Sequence, residues 1–152
     1  MESALCGLSN IEKKLIHLSY ANISLPRSRF KHFTYIVRRN KIIVFGVNHD
    51  RKTNPINQKY GYRYPQIHSE GSAIIAFPYN RNELCEYDFY NVRINNLGQI
   101  SMSAPCPHCQ VLLKSHGIQR IFHTNEQGKF EGFELWLKLI LENQQILGLS
   151  FP

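Results

Sequence analysis

Residues 65–75 read PQIHSEGSAII and set a problem of burial. Ile67, Ala73, Ile74 and Ile75 mark a packed segment, predicted as a helix from about His68 to Phe77 that stops at Pro78. His68 and Glu70 stand at its mouth, where a buried imidazole and carboxylate are costly unless something satisfies them. Residues two apart do not share a face of a regular helix, so both address one point only at a helix end, where the geometry is looser.

The stretch SAPCPHCQVLLKSHGI (103–118) supplies the other half. It opens a further predicted helix near Cys106 and closes it at Gly117. A Cys-x-x-Cys alone reads as a redox pair, half of a structural zinc site or chance. Beside His68, however, Cys106 and Cys109 complete three ligands of the softness zinc prefers, with Glu70 as a carboxylate that need not bind. Cysteines three apart in a first helical turn point to one side, and the helix N-terminus favours their thiolates. Pro105 and Pro107 pre-set backbone whose N–H groups are unpaired there anyway. Three protein ligands leave one tetrahedral position for water, whose pKa falls to about 7 in catalytic zinc sites.

Outward from these motifs the chain alternates. A first helix over about 10–22 carries the capping-box pair Ser9 and Glu12 and an apolar stripe of Leu8, Ile11, Leu15 and Leu18. FTYIVRR (33–39) and KIIVFGV (41–47) predict a hairpin around Asn40. A polar loop follows over 48–66, with Tyr60, Tyr62 and Tyr64 interleaved by Lys59 and Arg63, a pattern of ligand contact or of edge packing. DFYNVRIN (88–95) and QRIFHTN (119–125) predict a third and fourth strand, and GQISMS (98–103) a pocket wall or a hairpin tip. GFELWLKLILENQQIL (132–147) places Phe133, Trp136, Leu137, Ile140, Leu141 and Leu147 on a helical period. This order predicts an α/β fold over 1–152 as one domain, a mixed sheet covered on both faces by helices.

The 152 residues, 43% hydrophobic and 19% charged, suit one globular core. No apolar run approaches the ~18 residues of a membrane span, and MESALCGLSNIEKK lacks a signal-peptide core. The expectation is a soluble intracellular protein, cytoplasmic or nuclear, with no membrane partner. Cys6 and Cys85 then read as ordinary thiols. Eighteen Lys and Arg against 11 Asp and Glu give a net charge of +7, which favours phosphate-bearing partners or serves solubility. Arg51 and Lys52, in the loop entering the site, have the best claim to a phosphate, whereas Lys13–Lys14 and Arg38–Arg39 read as solvated charge. His17, His32, His49, His108, His116 and His123 read as surface or satisfied core histidines.

H-x-E with P-C-x-x-C is the zinc signature of base deaminases. In HSEGSAII and SAPCPHCQVLL the chain resembles the cytidine and deoxycytidylate deaminase superfamily, which includes tRNA adenosine deaminases and polynucleotide cytosine deaminases; the likeness runs from about Phe45 to Thr124. Ser69 departs from the usual alanine or valine. The resemblance implies a three-layer α/β/α fold with about five strands, LGLSFP (147–152) being the candidate for the fifth. It implies zinc held by His68, Cys106 and Cys109, with Glu70 moving protons from water to the ring nitrogen and the leaving ammonia. It further implies a substrate contact from Asn48 in FGVNH, with Asn54 as the alternative, and from the backbone N–H of Ser69; Arg51, Lys52 and Tyr64 complete the expected substrate set. Family members assemble as dimers or larger, so a homo-oligomer is implied as well. The leading expectation is hydrolytic deamination of cytosine in a nucleoside or nucleotide. The alternatives are an editor of single-stranded DNA or RNA or of tRNA adenosine, and an inactive zinc-stabilised nucleic-acid-binding module.

Overall fold

The computed structural model describes residues 5–51 and 66–133. Helix α1 (Asn10–Ala21) begins at the expected capping box: Ser9 N–H donates to Glu12 Oε2 at 2.7 Å, and Glu12 N–H to Ser9 Oγ at 3.3 Å. Strands β1 (Lys31–Arg38) and β2 (Lys41–Val47) form the expected hairpin. Its turn residues Arg39 and Asn40 have φ of 49° and 59°, the left-handed pair that matches strand twist in a two-residue turn. Next come α2 (Ser69–Ala76), a 3₁₀ helix (Arg81–Glu86) and β3 (Asp88–Ile94). Strand β4 (Ile100–Ser101), α3 (Pro107–Ser115), β5 (Arg120–Thr124) and β6 (Phe130–Phe133) complete the described chain.

Among the described residues one mixed sheet runs β2-β1-β3-β5-β6, with β4 paired to β3. Strand β1 is antiparallel to β2 and β3, whereas β3 and β5 are parallel. A parallel pair needs a crossover, and α3 lies on it. Alternation along β1 divides the core. Phe33, Tyr35 and Val37 pack with Ile11 and Leu15 of α1. Ile36 faces the other way, onto Ala73 and Ile74 of α2 and Leu112 and Leu113 of α3. The sheet is therefore covered on both faces, as the sequence order requires.

Helix α2 lies with its backbone directly on β2. A Cβ at Gly46 would meet Ala73 N at 2.2 Å and Ser69 O at 2.5 Å, so only glycine fits. This contact fixes the depth of α2, and with it Ser69 and Glu70.

The sheet has more strands than the sequence pattern suggests. Asn125–Gly128 turns β5 back into β6, with Gly128 at φ 74°. Phe133 thus ends a strand instead of starting a helix, because β6 is only four residues long and runs straight into an apolar period that masks it. The rest of that expected helix, and LGLSFP, lie outside the described residues. GQISMS holds the short β4, which makes it a hairpin on β3. No helix among the described residues is long and apolar enough to cross a membrane.

Candidate active site

Both motifs sit at helix mouths. His68 is the N-cap of α2, extended at φ −82° and ψ 158°, and its side chain makes no capping bond. Cys106 is the N-cap of α3, with Pro107 in the first turn and Cys109 three residues on. Paired bridges zip the approach to α2: His49 N–H donates to Ile67 O at 3.0 Å and Ile67 N–H to His49 O at 2.9 Å. Two helix N-termini, each electropositive, thereby converge on one point.

There, His68 Nδ1 lies 3.5 Å from Cys106 Sγ and 3.4 Å from Cys109 Sγ, and the three ligand atoms fall within 4.8 Å of one another. Tetrahedral zinc with bonds of about 2.0–2.1 Å to nitrogen and 2.3 Å to sulfur sets an N···S edge of about 3.6 Å, so the group fits that ion. The chemistry of the donors agrees. A hydrogen bond from Cys109 pulls the Cys106 thiol down to about 3; desolvation opposes this, while His68 and the Cys109 N–H reinforce it. A thiolate stands ready for a cation. His108 is exposed between the cysteines and is not in the cluster.

Glu70 is 6% exposed in the first turn of α2. Its Oε2 lies 3.3 Å from Cys109 Sγ and 3.4 Å from Ser69 Oγ, and its Oε1 accepts from Asn91 Nδ2 at 2.8 Å. Burial raises its pKa by disfavouring the charged form. The Ser69 hydroxyl lies 2.8 Å from Thr34 Oγ1 and so joins a buried polar chain.

A cavity of about 250 Å³ opens over this group, lined by His32, Asn48, His68, Ser69, Glu70 and Cys106 among others. The Asn48 amide is largely occupied with the backbone: Oδ1 accepts from His32 N–H at 3.0 Å, and Nδ2 donates to Phe30 O at 2.9 Å. One N–H and one lone pair remain for a ligand. Arg51 is exposed beside the mouth, while Lys52, Asn54, Tyr60, Tyr62 and Tyr64 lie outside the described residues. Three features escape the sequence reading. Phe30 and His32 wall the cavity, and burial, with Arg93 and His68 nearby, lowers His32 to about 4, so it is neutral at pH 7. Asn91, buried beside Glu70, is the third. Only Asn91 has a sequence signal, an amide set between Phe89–Tyr90 and Val92 in the middle of a strand.

The sequence matches the family model of the cytidine and deoxycytidylate deaminase zinc-binding region over residues 11–124, and the chain belongs to that family. A cytidine deaminase from Burkholderia pseudomallei is a similar solved structure, with a TM-score of 0.56 and 19% identity over 84% of this chain and 94% of that one. The apo dCMP deaminase of cyanophage S-TIM5 gives 0.52 and 15% over 78% of this chain and 86% of that one. At such identities the likeness establishes the fold alone. Among curated proteins no sequence matches the chain.

Proposed function

We propose that the protein is a zinc-dependent hydrolytic deaminase acting on the amino group of cytosine in a nucleoside or nucleotide. The carrying observation is the buried Glu70 carboxylate set 3.3 Å from Cys109 Sγ, beside a three-ligand group. A carboxylate that ligates nothing is superfluous in a purely structural zinc site. His68, Cys106 and Cys109 would hold the metal. Zinc bound there supplies Lewis acidity that makes water a nucleophile near neutral pH. Glu70 Oε2 faces that group, passes a first proton from water to the ring nitrogen, and then passes the remaining hydroxyl proton to the amine, which leaves as ammonia. Its raised pKa suits both directions of transfer. The base is bound in the cavity by the Ser69 N–H, at a helix start where no internal partner exists, and by what remains of the Asn48 amide.

A specific observation favours a phosphorylated form of the substrate. Arg27, Arg29 and Arg51 line a hollow that shares Ser28 and Asp50 with the cavity, and none of the three forms an ion pair among the described residues. Lys52 and Tyr64 extend this substrate set. A single-stranded nucleic acid offers the same phosphate chemistry.

The test is incubation of zinc-loaded protein with cytidine, deoxycytidine, their monophosphates, adenosine, single-stranded DNA and RNA, and tRNA. Replacing a ring amine by a carbonyl adds about one mass unit. The expected result is a shift in cytosine monomers, larger for monophosphates. A shift confined to polymers selects the editing alternative. No shift with zinc bound selects the binding module and overturns the proposal.

A further inference from the structure

Asn91 occupies a core position on β3 that an apolar residue would fill. Further along the same sheet face Ile36, Phe89 and Ile121 belong to the apolar core. Asn91 is 3% exposed and pairs with Thr34 across β1 and with His123 across β5. Its Nδ2 donates to Glu70 Oε1 at 2.8 Å and to Ser103 O at 3.3 Å. Its Oδ1 accepts from Thr34 Oγ1 at 2.8 Å. The orientation of the amide follows from these partners, two acceptors facing nitrogen and one donor facing oxygen.

We propose that Asn91 is the positioning residue of the active site: its amide fixes one oxygen of Glu70, aims the other at the His68–Cys106–Cys109 group, and ties α2 to the segment that carries Cys106. The assignment of Glu70's task rests on the deaminase reading above. The tie itself follows from one NH₂ group spanning both motifs, with Glu70 on α2 and Ser103 just before Pro105 and Cys106. Ser103 is anchored in turn, its hydroxyl donating to Asn91 O at 2.7 Å and accepting from Thr124 N–H at 2.8 Å. A glutamate with one oxygen unbound samples several rotamers, and a misplacement of about 1 Å lowers a rate by up to about 100-fold. An N–H to a carboxylate is charge-assisted and directional, so it removes that freedom.

The experiment compares Asn91→Leu, which keeps the branched four-atom shape and loses the donor, with wild type, Glu70→Gln and the Asn91→Leu/Glu70→Gln double variant. Expected for Asn91→Leu are full zinc content, kcat lower by about 10- to 100-fold and KM within about threefold. In the Glu70→Gln background the same change should have almost no further effect on kcat. An activity-free readout accompanies these. The carboxylate infrared band of Glu70, isolated as wild type minus Glu70→Gln in zinc-loaded protein, should shift when Asn91 is replaced. Should Asn91→Leu fail to fold, Asn91→Ser loses the same N–H in a smaller side chain and carries the same measurements. An unmoved band, a purely KM effect, or an equal loss in both backgrounds overturns the proposal. If no substrate is turned over at all, the band still decides it, so failure of the tie and failure of the deaminase reading remain distinct.

Discussion

Glu70 and Cys106 line one cavity, yet their surroundings drive them in opposite directions. Burial raises the carboxyl, while a thiol donor, an imidazole and a backbone N–H hold the Cys106 sulfur down at about 3. One group is therefore suited to carry a proton and the other to hold a cation. Removal of Cys106 separates these roles experimentally. A ligand that binds only the folded chain stabilises it by about 4 kcal/mol at a thousandfold excess over its Kd. Cys106→Ala should lose zinc and unfold about 10 °C lower. Full zinc occupancy in a folded Cys106→Ala protein contradicts the ligand assignment; metal analysis and calorimetry on one sample decide it.

At the scale of the elements, the close approach of α2 to β2 sets the site. Gly46→Ala drives a methyl against backbone atoms at 2.2 and 2.5 Å, which cannot rotate away as a side chain can. The expected loss is about 3 kcal/mol, with a drop in turnover as α2 shifts outward. Wild-type stability in urea would show that the helix has room. The helix mouths themselves are legible in the sequence, because a cap residue and its partner three residues on form a local pattern. Ser9 with Glu12, and Cys106 with Cys109, are both of this kind. The network around Glu70 is not local. Thr34, Asn91 and Ser103 come from β1, β3 and the segment before α3, and only the sheet register brings them together. Strand β6 escapes for a different reason, since four residues are too few to show a period of two before the apolar run takes over.

Over the whole molecule, the two core layers give the fold different sensitivities to pH. On the α1 side, burial pushes the Tyr35 phenol up to about 12, although its hydrogen bond with Ser19 works the other way. The folded chain thus holds a proton that the unfolded chain releases near 10. Stability from this group is present below pH 10 and is lost as pH rises toward 12, by about 2–3 kcal/mol. Tyr35→Phe should lose about 1 kcal/mol at pH 8 through the Ser19 bond, and its urea stability should converge on wild type above pH 10. Parallel curves would mean that Tyr35 is not the titrating group. On the α2–α3 side lie His68, Cys106 and Cys109 with the buried Glu70 beside them. The most direct test of the deaminase proposal is a paired measurement on wild type and Glu70→Gln, with zinc content and deamination of cytosine substrates determined in the same samples. Expected are about one zinc per chain in both proteins and turnover lower by about 10²- to 10⁴-fold in the variant. Equal turnover, or a folded wild-type protein that binds no zinc, contradicts that proposal.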